Sequence, residues 1–172
     1  MLLLSSARTC FYCEGRKLLM STDGLPRPEE CTCLAVRQAA RHITQLYDQH
    51  LAAVGLRTTQ YSILVKLKRL GPMTINVLAE AMVMDRTTLG RNILPLERDG
   101  LISVAPGVKD RRSKELRLTE AGAERLRAGY DGWKKAQKEF AAAFGDERAA
   151  GLRALLREVT ATDLPAESST TG

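Results

Sequence analysis

TINVLAEAMVMDRTTLGRNILPLERDGLI, residues 74–102, decides the fold. It divides into two apolar-periodic stretches. The first opens at Thr74, is short, and spaces Val77 or Leu78, Ala81 and Met82 for burial. The second is capped by Asp85 and runs to Asp99, with Leu89, Ile93 and Leu96 inward and Gly100 at its end. Two short helices with a tight connection read as a helix-turn-helix. Pro95 lies inside the second, where a missing N–H should kink or loosen the last turn.

Downstream come Leu101-Ile102-Ser103-Val104 and Glu115-Leu116-Arg117-Leu118, separated by Pro106-Gly107 and a charged tip. These are the only strand-like segments and predict a hairpin, which makes the motif winged. Thr119 then caps a long helix reaching about Phe144, and Asp146 caps a last one carrying Leu152, Leu155, Leu156 and Val159. Upstream, Pro28 with Glu29 and Glu30 opens a helix on which Ala39, Ile43, Leu46, Tyr47, His50, Leu51 and Val54 recur at spacings of three and four, until Gly55. Thr58 or Thr59 caps the next, with Tyr61, Leu64, Leu67 and Leu70 on one face and Gly71-Pro72 as its stop.

The expected fold is mainly α with a small β-hairpin wing, a winged helix-turn-helix core between N- and C-terminal dimerisation helices. Residues 1–27 read as a disordered leader, 28–164 as the folded domain and 165–172 as a disordered tail. Within the domain, 57–118 form the winged core, and 28–56 and 119–164 the dimerisation helices. Met20-Ser21 is a sensible start for the domain, which leaves 1–19 as an extension. The apolar stripes of the outer helices, with Trp133, need a surface that the winged core does not offer, so a symmetric partner is expected.

Composition narrows the function. The 172 residues are 44% hydrophobic and only 5% aromatic, which disfavours disorder and a many-stranded sandwich. No run approaches a membrane span and Leu2-Leu3-Leu4 lacks a signal's basic flank, so a soluble cytoplasmic protein is expected. From Arg57 to Arg117 there are 12 Lys/Arg against 6 Asp/Glu, whereas the rest of the chain carries 14 of each sign. The whole net charge of +6 therefore sits in the winged core, where it points to a polyanion, nucleic acid first, rather than to a merely solvated face.

A helix fits the major groove of B-DNA and presents side chains to base edges. Arg86, Thr87, Thr88, Gly90 and Arg91 occupy the outward side of the second helix of the motif. Arg91 or Arg86 can fork onto a guanine, Thr87 and Thr88 can reach phosphate or a thymine methyl, and Gly90 permits close approach. Thr59 and Thr74, at the starts of two preceding helices, complete the candidate set there. The wing tip offers Lys109, Asp110, Arg111 and Arg112, whose guanidinium groups suit the narrow, electronegative minor groove. Asp110 either orients Arg112 by pairing with it or simply forms the turn.

These residues resemble the multiple antibiotic resistance regulator (MarR) family of bacterial transcription factors. The matching pieces, in order, are Leu78-Ala79, Asp85-Arg86-Thr87-Thr88, Leu96 to Ile102, Asp110-Arg111-Arg112 and Leu118-Thr119-Glu120-Ala121-Gly122. The resemblance covers roughly residues 31–160. It implies a homodimer whose recognition helices enter successive major grooves of a palindromic operator, with Arg112 in the minor groove. It further implies a repressor released by a small phenolic or lipophilic inducer, or by thiol oxidation.

The sensing candidates are Cys33, Arg37, Tyr47, His50 and Tyr61. Cys33 lies early in the first helix, where the helix dipole favours thiolate, and Arg37 follows it by one turn. By the resemblance, Cys33 and Arg41 take the places of the reactive cysteine and its arginine in hydroperoxide-sensing members, and Tyr47 that of one tyrosine. Two further tyrosines of those members correspond to Arg37 and Thr58. The inducer pocket is expected near Tyr47, His50 and Tyr61.

Zinc on Cys10, Cys13, Cys31 and Cys33 is disfavoured by the tight second pair and the leader between them. His42 and His50 stand roughly 12 Å apart along one helix and cannot share a metal. No cofactor is expected. Without a base beside Cys33, a phosphate loop or a nucleophile elbow, neither is an enzyme. An unregulated architectural DNA-binding protein is the remaining alternative, distinguished by weak sequence preference.

Overall fold

The computed structural model describes residues 27–107 and 113–163. The readings of the leader before residue 27, of Cys10 and Cys13, of wing-tip residues Lys109, Asp110, Arg111 and Arg112, and of the tail 165–172 lie outside them.

The chain divides into two compact units, Met1–Val36 and Arg37–Gly172. In the first, a 3-10 turn at Pro28–Glu30 precedes the start of α1 (Thr32–Leu51), and the Cys31 sulfur accepts the Leu34 N–H at 3.4 Å. The single helix expected from Pro28 to Gly55 is thus broken at Cys31, and a second 3-10 turn, Ala52–Val54, closes it.

In the second unit the elements are the rest of α1, α2 (Thr58–Leu70), β1 (Met73–Thr74), α3 (Ile75–Met82), α4 (Arg86–Arg98), β2 (Ile102–Pro106), β3 (Lys114–Leu118), α5 (Glu120–Phe144) and α6 (Asp146–Ala161). The sheet has order β1-β3-β2, all antiparallel, with Met73 opposite Leu116 and Ile102 opposite Leu118. β1 corrects the two-stranded expectation. Two residues after Gly71-Pro72 carry no period of their own, and only pairing with β3 makes them a strand.

The core gathers Leu51, Leu56, Tyr61, Ile63, Leu64, Leu67, Leu78, Leu89, Ile93, Leu96, Ile102 and Leu116, so helices and sheet share one apolar centre. Leu89, Ile93 and Leu96 point inward as their spacing requires. On α2, Leu70 is exposed and Ile63 takes a core place instead. On α3 the buried pair is Leu78 and Ala79, with Val77 outside.

Pro95 sits within α4, which runs on to Arg98. Leu101 N–H bonds Leu96 O at 2.8 Å and Gly100 N–H bonds Glu97 O at 2.9 Å, a Schellman stop with Gly100 at φ 68°. The same pattern ends α3, where Met84 N–H bonds Ala79 O and Val83 N–H bonds Glu80 O. Here the left-handed residue is Val83 at φ 51°, a strained position for a β-branched side chain.

Two caps differ from expectation. Arg57, not Thr58 or Thr59, is the N-cap of α2, and Gly145 rather than Asp146 precedes α6. The N-terminus of α2 is satisfied across helices: Asp48 of α1 accepts both the Thr58 N–H and the Thr58 hydroxyl at 2.7 Å, and Arg57 donates to its other oxygen at 3.2 Å. α5 approaches through glycines. A Cβ at Gly122 would overlap the Leu101 carbonyl, and one at Gly132 would come within 2.5 Å of the His50 carbonyl. Trp133, expected to need a partner, is half-buried against this chain's own core, whereas Leu155, Leu156 and Val159 remain exposed.

Candidate nucleic-acid interface and cavity

The exposed face of α4 follows from its buried one. With Leu89, Ile93 and Leu96 held in the core, a step of about 100° per residue turns Thr87, Arg91, Leu94 and Arg98 to the opposite side. All four are exposed, as are Arg86 and Thr88, and Gly90 is half-buried with open space where a Cβ would stand. Asp85 fixes the start of this helix by accepting the Thr88 N–H at 2.8 Å. Its bonds with Thr88 hold the Asp85 carboxyl below the usual range, so it is ionised where the helix dipole favours an anion. Asn92 donates to the Thr88 carbonyl at 2.9 Å on the flank.

The other candidate DNA contacts are placed differently. Thr74 is half-buried and spends its hydroxyl capping α3, accepting Val77 N–H at 3.4 Å. Thr59 is half-buried in the first turn of α2, beside Thr58, whose own hydroxyl is taken by Asp48. The Asp48 carboxyl is raised by burial but lowered more by Thr58 and Arg57, and the net shift is downward. The hairpin is closed where the Gly107 N–H bonds Ser113 O at 2.8 Å. Its Glu115–Arg117 pair at 3.0 Å stiffens β3 below the tip.

A cavity of about 690 Å³ lies between α2 and α5. Tyr61, Val65, Leu126, Tyr130 and Trp133 give it an aromatic and aliphatic wall, with the Tyr130 and Trp133 rings stacked at 5.9 Å. Lys66, Lys68, Arg69 and Arg127 also line it, and no carboxylate does. Of the expected pocket residues only Tyr61 is here, with burial raising its hydroxyl pKa. Tyr47 is buried elsewhere, its pKa raised by burial and lowered less by Arg153. His50 pairs with Glu139 of α5 at 2.8 Å. The family resemblance grouped these three residues, but which α5 residues oppose each of them is set by tertiary packing.

Cys33 is exposed in the first turn of α1, and Arg37 is exposed farther along it. Among the described residues no group of three potential ligands could hold a metal, and no helix is long and apolar enough to cross a membrane. Sequence reasoning missed Asp48, Leu94 and Arg98. The last two were within reach, because the period that buries Leu89, Ile93 and Leu96 turns them outward.

Comparison with known proteins agrees with this arrangement. The pattern of the MarR family matches residues 56–114. The chain is 30% identical over 112 residues to the uncharacterized HTH-type transcriptional regulator YwoH of Bacillus subtilis, spanning 65% of this chain and 81% of that protein. It is 28% identical over 95 residues to the organic hydroperoxide resistance transcriptional regulator of the same bacterium, spanning 55% of this chain and 65% of that one. Among solved structures, the M. tuberculosis transcriptional regulator MosR in complex with DNA is 34% identical, with a TM-score of 0.66 over 78% of this chain and all of that one. The exposed helix of a winged core, the basic charge confined to that core and these relatives together identify the chain as a member of the MarR family of DNA-binding transcription regulators.

Proposed function

We propose that the protein is a homodimeric, sequence-specific cytoplasmic repressor that a small lipophilic or phenolic molecule releases from a palindromic operator. The observation that carries this reading is the cavity between α2, a helix of the winged core, and α5, a helix of the outer frame. A ligand wedged there touches both, so its binding energy can favour one setting of the reading helix over another. An aromatic wall with four cations and no carboxylate suits a ring bearing an acidic group.

In this reading Arg86, Thr87, Thr88 and Arg91 read or position the major groove, and Thr59 and Thr74 lie along the adjacent backbone. Lys109, Arg111 and Arg112, with Asp110 beside them, serve the minor groove on the strength of their sequence. Leu155, Leu156 and Val159, exposed on α6, supply apolar surface for the second copy.

Trp133 is the chain's single tryptophan and lines the cavity, which gives a direct assay. Aryl carboxylic and phenolic acids that quench its fluorescence should, at the same concentrations, weaken anisotropy-detected binding to DNA from upstream of the protein's own gene. Quenching without loss of DNA binding would sink the inducer reading.

A second reading, release by thiol oxidation, is favoured by the exposure of Cys33. Stoichiometric organic hydroperoxide should then abolish DNA binding in the wild type and spare Cys33→Ser.

A further inference from the structure

Leu94 projects from α4 into solvent. It is 63% exposed, and no other large apolar side chain of α4 is exposed. Single exposed leucines are ordinary, so exposure alone assigns nothing. Its neighbours distinguish it. Leu94 stands three residues after Arg91 and four before Arg98, on the side of α4 opposite Leu89, Ile93 and Leu96. One turn before it is Gly90, with no atom within 4 Å of where a Cβ would stand. The two together leave a step on the helix surface: an open place at Gly90 and an apolar projection beyond it.

The groove that accepts this face has to match it chemically. Arginine finds acceptors on guanine or phosphate, but a leucine pressed against a carbonyl or amino edge would desolvate that edge and satisfy nothing. The major groove presents one apolar group, the C5-methyl of thymine. Burying methyl against isobutyl removes apolar surface from water on both sides. The distance also fits. Three residues of helix rise about 4.5 Å, between one and two base-pair steps of about 3.4 Å.

We propose that Leu94 is a specificity-determining residue that reads a thymine methyl group, one or two base pairs from the contact made by Arg91. This rests on the reading in which α4 enters the major groove, and it adds to that reading a fixed A·T position in each half-site.

The test uses the full-length protein and the duplex it enriches from a randomised library. Each thymine of that duplex is replaced in turn by deoxyuridine, which deletes the methyl group and nothing else. For the wild type, one thymine in each half-site should show a loss of affinity of about threefold to tenfold when replaced. On the same pair of duplexes Leu94→Ala should discriminate less than about twofold, because its partner is already gone. The variant should unfold at the wild-type temperature, since the side chain is exposed.

Arg91→Ala, run in parallel, separates the two levels of failure. If it loses the selected sequence while no thymine shows a methyl effect that Leu94→Ala removes, or the selected site holds no thymine there, α4 reads the groove and the Leu94 assignment is overturned. If Arg91→Ala and Thr87→Ala both retain full preference, the groove reading fails and takes the Leu94 assignment with it.

Discussion

The winged core and the helical frame solve the burial problem in opposite ways. In the core, Ile63, Leu64, Leu78, Leu89, Leu96 and Ile102 are almost completely withdrawn from solvent within one chain. In the frame, the 16 residues of α6 bury only Ala149, while Leu155, Leu156 and Val159 stay open. α5 buries only Gly122, Ala123, Gly129 and Ala136, small residues that bring its backbone close to the core. One chain therefore closes the apolar centre of the winged core, while its last helix leaves apolar surface open to solvent.

Truncation inside the core should break this contrast most severely. Leu89→Ala removes a fully buried side chain and should cost about 2–5 kcal/mol per subunit in urea unfolding compared at equal protein concentration. Leu155→Ser with Leu156→Ser should leave the helical circular dichroism of dilute protein unchanged. The pair should weaken self-association by about tenfold or more in sedimentation. A wild type that sediments as a monomer at micromolar concentration would contradict the frame's role.

The joint between the two regions gives an intermediate effect. Asp48 of α1 satisfies the start of α2, so Asp48→Asn, which keeps one acceptor oxygen but loses the charge facing Arg57, should cost about 1 kcal/mol. The folded carboxyl lies below its ordinary 3.8, so its contribution is complete above that value and fades as pH falls from about 4 through the lower folded pKa. Wild type and Asp48→Asn should therefore differ at neutral pH and converge in acid; a constant gap would show that the charge is not what matters. The smallest effect is a gain. Val83 is exposed and left-handed, so Val83→Gly should stabilise by about 0.5–1 kcal/mol, read as a higher melting temperature.

Legibility in the sequence followed a different divide, between features set by neighbouring residues and features set by tertiary partners. α4 was legible because its start, period and stop are local: Asp85, then Leu89, Ile93 and Leu96, then Gly100. β1 was not, because two residues become a strand only through β3. The cap of α2 was assigned to Thr58 or Thr59, as local rules suggest, whereas the carboxylate comes from Asp48, ten residues upstream on another helix. Family resemblance pointed to a pocket near Tyr47, His50 and Tyr61, whereas the α2–α5 cavity holds only Tyr61 of these beside Tyr130 and Trp133, since nothing local pairs α2 with those positions of α5. The basic block was visible at once because charge needs no tertiary structure to be counted.

The most direct test is the affinity of wild type, Thr87→Ala and Arg91→Ala for the selected duplex and a scrambled one, across a range of salt. The proposed groove reading by α4 predicts that Arg91→Ala lowers the ratio of the two affinities by about tenfold or more. Thr87→Ala should lower it less. Both variants should keep most of the salt-dependent binding that the rest of the basic core supplies. An unchanged ratio in both variants, with the salt slope alone reduced, would contradict sequence reading by α4.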